Sequence, residues 1–200
     1  MIRNILFDFG DVFINLDKDV MKKAIPEYGG AQDIKNLQQL NNLYETGAIS
    51  TDAFITGIQK IYPHLTHGEI IGIWNSMLLD LPDHRLHFLK ELAAAQKYRL
   101  FLLSNTNSLH ISHIQQHMGM DVFQGFKSCF EKFYLSHEIH MRKPDTEVFQ
   151  FVMDENHLKA HETLFIDDTL ENIQSADTLG LQTWLLQVGV EDIVDLTDKL

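Results

Sequence analysis

The sequence predicts an α/β protein, a Rossmann-like parallel sheet with helices on both faces and an inserted all-helical segment. Three observations lead there. Short apolar runs recur along the chain, each ending in a cluster of polar residues. Helical stretches alternate with the later runs, and between the first and second runs, from about 17 to 81, only helical patterns occur.

The first run, Ile2 to Phe9, ends at Gly10-Asp11. Four helices are expected next: Lys18 to Ile25, Ala31 to Thr46, Thr51 to Tyr62 and Thr66 to Leu79. Ser50-Thr51-Asp52 ahead of Ala53-Phe54-Ile55, and Thr66 three residues before Glu69, are capping signals. Tyr28-Gly29-Gly30 and Thr46-Gly47 mark breaks. The sheet then resumes. Arg99 to Leu103 runs into Ser104-Asn105-Thr106-Asn107, Thr163 to Ile166 runs into Asp167-Asp168-Thr169, and Thr183 to Val188 precedes Gly189. Phe130 to Leu135 is a weaker fifth strand. Helices are expected over His84 to Lys97, Leu109 to Met118, Thr146 to Asn156 and Leu170 to Leu179. Apolar runs this short, bounded by turn residues, suit parallel strands covered on both faces and joined by right-handed crossovers. The expected division is a core of residues 1–16 and 82–200 with a helical cap over 17–81.

Composition narrows the function. The 200 residues are 44% hydrophobic and 22% charged, which is globular. Lys plus Arg total 16 against 28 Asp plus Glu, a formal net charge of −12. That balance argues against nucleic acid or an anionic membrane as partner, both of which need a positive footprint. The single cysteine, Cys129, excludes an intrachain disulfide and reads as a small buried hydrophobe. No apolar run approaches a bilayer span, and Met1-Ile2-Arg3-Asn4 leads into Ile5-Leu6-Phe7 without the pattern of a signal peptide. A cytoplasmic protein, monomer or homodimer, is expected.

Ligands of open α/β sheets sit beyond the carboxyl ends of the strands, which here carry Asp8, Ser104-Asn105-Thr106 and Asp167-Asp168. Three carboxylates converging on one edge repel one another unless a hard cation neutralises them, and oxygen donors suit Mg²⁺. Ser104 and Thr106 offer hydroxyls, and backbone N–H groups opening the next helix can hold a phosphate. Lys143-Pro144 adds a cation just before a helix, with Pro144 and Asp145 suited to its first turn. A carboxylate nucleophile, a phosphate cradle, a Lys and a metal-binding acid pair suit phosphoryl transfer.

The segments Phe7-Asp8-Phe9-Gly10-Asp11-Val12, Leu103-Ser104-Asn105, Arg142-Lys143-Pro144-Asp145 and Phe165-Ile166-Asp167-Asp168, with Asn172 beyond, resemble the haloacid dehalogenase superfamily in order and spacing. The helical insert resembles the cap of its capped subfamily I. Leu103 to Asn107, and Tyr134-Leu135-Ser136 ahead of Met141-Arg142-Lys143-Pro144, resemble the branch of bacterial α-D-glucose-1-phosphate phosphatases. The resemblance implies a Mg²⁺-dependent phosphatase acting on a small phosphorylated metabolite. Asp8 would attack phosphorus and carry an aspartyl-phosphate. Asp8, the Gly10 carbonyl and Asp168 would hold the metal, with Asp167 behind them or ligating through water. Ser104 and the Asn105 N–H would bind the phosphoryl group, and Lys143 would bridge it to Asp8.

One position departs from the family pattern. Many members carry an acid two residues after the nucleophile, which protonates the leaving oxygen; here Gly10 stands there. Such help is worth roughly 10²–10⁴-fold. Three explanations stand open: a leaving group acidic enough to need little protonation, such as an anomeric sugar phosphate; proton supply by Asp11 or Glu45; or feeble turnover in a protein that mainly binds. A 2-haloacid dehalogenase, which shares the scaffold but needs no metal, is a competing reading, and Asp167-Asp168 argues against it. Among other residues, His110, His113 and His117 share a helix face expected to be solvated or partly buried rather than metal-binding. His137 and His140, which flank the run into Lys143, are read as incidental loop residues with substrate contact as the alternative; Lys18, Lys22 and Lys23 as a solvated face, with positive charge presented toward the site as the alternative; and Trp74, Tyr44 and Phe54 as cap core. Asn41, Tyr44, Glu45 and Gly47 are the cap residues expected near the substrate.

Overall fold

All four residues of β1 (Asn4–Phe7) are buried, with neighbours on both sides, and the side-chain alternation divides them between two cores. Ile5 and Phe7 join one cluster, Leu6 the other. The computed structural model describes residues 1–25 and 30–200. Its sheet adds β2 (Arg99–Ser104), β3 (Lys132–Leu135), β4 (Thr163–Asp167) and β5 (Gln182–Leu185). All pairings are parallel, in the order β3-β2-β1-β4-β5. The helices that cover it are α5 (Asp83–Ala94), α6 (Ser108–Met118), α7 (Met120–Lys127), α9 (Thr146–Asn156) and α10 (Leu170–Thr178), numbered in chain order.

The segment after β1 carries α1 (Val20–Ala24), α2 (Ala31–Glu45), α3 (Thr51–Ile61) and α4 (His67–Asn75). It has a hydrophobic cluster of its own, in which Tyr44 stacks on Phe54 at 4.3 Å and Phe54 meets Trp74 edge-on at 4.8 Å. The chain enters and leaves this segment through an antiparallel neck. Asn15 N–H bonds Asp80 O at 2.9 Å, Leu79 N–H bonds Asn15 O at 2.9 Å, and Asp17 N–H bonds Met77 O at 2.8 Å.

The sheet and most helices match the sequence reading, with shifted ends. β1 is shorter than Ile2 to Phe9, although Asp8 N–H still bonds Ile166 O at 2.9 Å. Ser50 and Thr66 cap α3 and α4 as expected, the latter in a reciprocal capping box with Glu69. α4 stops at Asn75 rather than Leu79, because Leu78 turns to pair with Leu16 in the neck. Pro144 and Asp145 precede α9, with Asp145 its N-cap, rather than forming its first turn. Two α-helices among the described residues were not expected, α7, which follows Gly119 at φ +80°, and the single turn α8 (Ser136–Ile139), nor were the 3-10 helices over Ala160–Glu162 and Ile193–Lys199. Of the expected break at Tyr28-Gly29-Gly30, Tyr28 and Gly29 lie outside the described residues, and Gly30 is the N-cap of α2. No helix among the described residues is long and apolar enough to cross a membrane.

Candidate active site

The chain lays β2 and β3 on one side of β1, then returns to place β4 on the other. Loops leaving β1 and β4 therefore diverge, and a crevice opens at their carboxyl ends. Asp8 directly follows β1 and Asp167 closes β4, each the first acid met at the end of an otherwise acid-free strand. Lys143, from the segment between α8 and α9, reaches between them. Its Nζ donates to Asp8 Oδ1 at 2.5 Å and to Asp167 Oδ2 at 2.7 Å, with its side chain 1% exposed.

The surroundings hold this ion triad in place. Asp167 Oδ1 also accepts from Thr169 N–H at 2.8 Å, and Asn172 Nδ2 donates to both Asp167 oxygens at 3.1 and 3.0 Å. Asn105 grips the Lys143 backbone, donating to its carbonyl at 2.8 Å and accepting from its N–H at 2.9 Å. Burial works against the Lys143 ammonium, but Asp167 and Asp8 outweigh it and hold its pKa above the usual lysine value. Burial, reinforced by Asp167 and Asp168 and opposed by Lys143, pushes Asp8 up to about 7. That is what a carboxylate does when it shares a site with like charges and one cation too few.

Asp8, Asp167 and Asp168 each offer an oxygen within 4.8 Å of the others. The donors are all carboxylate oxygens, and the residual charge is negative, so the cluster fits a hard divalent cation rather than a soft one. The Gly10 carbonyl accepts from Val12 N–H at 2.6 Å. Asp168 Oδ2 is bound by Lys18 Nζ at 2.5 Å, and the same ammonium meets Asp11 Oδ2 at 2.8 Å. Asp11 Oδ1 accepts from Leu16 N–H at 3.0 Å, and Arg85 donates to the carbonyls of Asp11 and Phe13 at 3.4 and 3.3 Å. Lys18, although 55% exposed, is thus part of the charged cluster and presents its charge toward the site. Lys23 pairs with Asp17 at 2.6 Å, while Lys22 is exposed.

A cavity of about 350 Å³ lies over these residues, the size of a small-metabolite site. Asp8, Gly10, Ser104, Asn105, Lys143 and Asp168 line its floor. Gln38, Asn42 and Glu45, on one face of α2, form the opposite wall. Glu45 Oε1 accepts from Asn41 Nδ2 at 3.1 Å, and Oε2 accepts from Arg142 Nε at 3.1 Å, the guanidinium's second nitrogen lying 3.0 Å away. Burial raises the Glu45 pKa, against Arg142 and Asn41. Thr106 N–H donates to Ser136 Oγ at 2.9 Å, which shapes the loop after Ser104. A side chain at position 10 would bring its Cβ to 2.7 Å from Leu16 Cδ1, so Leu16 packs directly against Gly10.

Of the four cap residues expected near the substrate, only Glu45 faces the cavity directly. Asn41 supports Glu45, Tyr44 hydroxyl bonds Ser108 Oγ at 2.9 Å, and Gly47 packs against His137 and His140. Asp11 does not line the cavity. His110 does, and it is buried rather than solvated. It stacks on Trp74 at 5.3 Å, and its Nε2 bonds the Trp74 carbonyl at 3.2 Å. Burial lowers its pKa to about 4. His113 stacks on His117, and no histidine belongs to a metal-binding cluster among the described residues. Gln38 and Asn42 on the cavity wall, the stacking of His110 on Trp74 and the clamping amide of Asn105 carry no local sequence signal, because what they face lies far away along the chain.

Residues 5–186 match the family described as haloacid dehalogenase-like hydrolase. The chain belongs to that family. The D-ribitol-5-phosphate phosphatase of Bacteroides thetaiotaomicron is 29% identical over 98% of both chains. A HAD family enzyme of the same organism, solved as a point variant with magnesium and inorganic phosphate, is 30% identical with a TM-score of 0.83 over 98% of this hydrolase and 99% of that chain. A HAD-like family hydrolase from Porphyromonas gingivalis is 29% identical with a TM-score of 0.81, covering 100% of this hydrolase and 98% of its own chain.

Proposed function

We propose that this hydrolase is a Mg²⁺-dependent phosphatase of small, hydroxyl-rich phosphomonoesters, with a sugar or polyol phosphate as its substrate. The observation that carries this is Lys143 clamped between Asp8 and Asp167, with Asp168 beside them at the floor of a small cavity. The D-ribitol-5-phosphate phosphatase relative and the magnesium and phosphate complex support it.

Asp8 is the nucleophile. Lys143 holds its Oδ1, and Oδ2 lies on the Gly10 side of the cavity floor. Its attack on phosphorus makes an aspartyl-phosphate and expels the alkoxide, which takes its proton from water; a second water then cleaves the acyl-phosphate, returning the carboxylate and freeing phosphate. Ser104 and the Asn105 N–H bind the phosphoryl oxygens, while Lys143 offsets the repulsion between those oxygens and Asp8. Asp8, Asp168 and the Gly10 carbonyl would hold the metal, and Asp167, already saturated by four contacts, positions Lys143 behind them. Bound there, Mg²⁺ supplies Lewis-acid stabilisation of the phosphoryl charge. Residues 17–81 act as a cap whose α2 face reads the organic part of the substrate and keeps bulk water out.

The missing acid bears on which phosphate is turned over. With Gly10, packed against Leu16, where a proton donor would stand, an anomeric phosphate, whose leaving group departs with little help, is favoured over a primary one. The test is a phosphate-release screen with Mg²⁺ over anomeric sugar phosphates, D-ribitol 5-phosphate and simple alkyl phosphates. Chelator should abolish turnover, and Asp8→Asn should lower it by roughly 10³-fold or more while leaving the fold intact. Full activity in Asp8→Asn sinks the nucleophile assignment. Equal rates on anomeric and primary phosphates sink the leaving-group preference.

A further inference from the structure

Lys18 stands where the neck joins α1, next to Asp17, which Met77 and Lys23 hold in place. Its side chain crosses into the strand-end cluster and bridges Asp11 and Asp168, at 2.8 and 2.5 Å. The two acids are 7% and 9% exposed, the lysine 55%. Asp11 is pinned by Leu16 N–H and, through its carbonyl, by Arg85. Asp168 Oδ1 has only a 3.5 Å contact with the Thr169 hydroxyl. The lysine is therefore the movable member, and Asp168 is the acid with an oxygen to give.

The charge count agrees. Four carboxylates, Asp8, Asp11, Asp167 and Asp168, meet two ammonium groups, Lys18 and Lys143, which leaves two negative charges. One divalent cation neutralises that remainder. Lys143 is enclosed and tied to two acids; Lys18 reaches in from solvent.

We infer that Lys18 is a built-in competitor of the divalent cation at Asp168: its ammonium occupies Asp168 Oδ2 until the metal takes that oxygen, and it then keeps Asp11 alone. The inference rests on the metal-dependent reading above. It has two consequences. The metal-free cluster is spared an uncompensated carboxylate, at the cost of weaker metal binding than the acids alone would give. And since Lys18 is rooted at the neck, loading the cation changes a contact at the base of the helical segment.

The test is calorimetric titration of Mg²⁺ into the full chain and into Lys18→Met, Lys18→Arg and Lys22→Met. Lys22, exposed on α1, controls for loss of one positive charge at a distance, which salt largely screens. Lys18→Met should bind Mg²⁺ about tenfold more tightly, Lys22→Met within about twofold of the parent, and Lys18→Arg close to it. Metal-free Lys18→Met should also melt lower and gain more from Mg²⁺ than the parent does. If Lys18→Met does not fold without metal, Lys18→Gln, which keeps a donor but no charge, should show the same tightening. Unchanged or weaker binding in Lys18→Met and Lys18→Gln, or equal tightening in Lys22→Met, overturns the inference. A parent protein that binds no Mg²⁺ at all overturns the metal-dependent reading as well, a result distinct from unchanged affinity.

Discussion

The floor of the cavity and its α2 wall use polar residues in opposite ways. On the floor, Asp8, Asp167 and Lys143 are buried, charged and bonded to one another at 2.5 and 2.7 Å across long stretches of chain. On the wall, Gln38 and Asn42 are exposed amides one helical turn apart, and the one charged member, Glu45, is satisfied by Arg142 and Asn41. A buried triad tolerates almost no substitution, because removing one partner strands the others in low dielectric. An exposed amide can be exchanged at little cost to the fold. Chemistry is therefore tied to stability on the floor, whereas on the wall recognition can vary independently of it.

The largest expected break in this contrast is Lys143→Met. It leaves Asp8 and Asp167 facing each other unpaired and should cost about 3–5 kcal/mol in a urea denaturation series. Saturating Mg²⁺ should restore part of that loss. A variant as stable as the parent would mean the triad is not electrostatically coupled.

His110 sits between floor and wall and gives a pH test. Its pKa is about 4 when folded against an ordinary 6.5. The unfolded chain therefore binds a proton that the folded chain refuses. The stability tied to it is fully present above about pH 6.5 and lost as pH falls through 4, on the order of 3 kcal/mol in all. His110→Gln should remove that part of the slope in urea midpoints measured between pH 4 and 6.5. An unchanged slope would show that the burial of His110 does not govern it.

Smaller effects belong to the wall. Glu45→Gln should raise KM for the preferred sugar phosphate roughly threefold to tenfold with kcat little changed, as loss of a binding contact does. If kcat falls instead, and only for primary phosphates, Glu45 is the proton donor that position 10 lacks. Asn42→Ala should change KM by about threefold or less and leave inhibition by inorganic phosphate unaltered, sharpening the division between wall and floor.

Much of the floor was legible in the sequence, since an acid or hydroxyl directly after a buried strand has few places to go. Asp8, Ser104 and Asp167 are placed by strand ends, and local periodicity marks strands well enough to find them. The Asn105 amide on the Lys143 backbone, the Asn172 amide on Asp167 and the reach of Lys18 to Asp168 are contacts between separate segments. No spacing rule announces them. The exposure of Lys18 and the partly buried face of His110, His113 and His117 follow the sequence pattern, but their contacts with Asp168 and the Trp74 carbonyl depend on what packs opposite.

By itself, then, the sequence determined the strand-helix alternation, the apolar strands with acids at their ends, and Gly10 at the position where an acid is often found. Those follow from local patterning and from the period of each element. Only the tertiary structure decided which acids come within reach of one another, which face of α2 lines the cavity, and that Leu16 packs against Gly10. These depend on crossovers that bring residues more than a hundred positions apart within hydrogen-bonding distance, where burial and charge set their chemistry together.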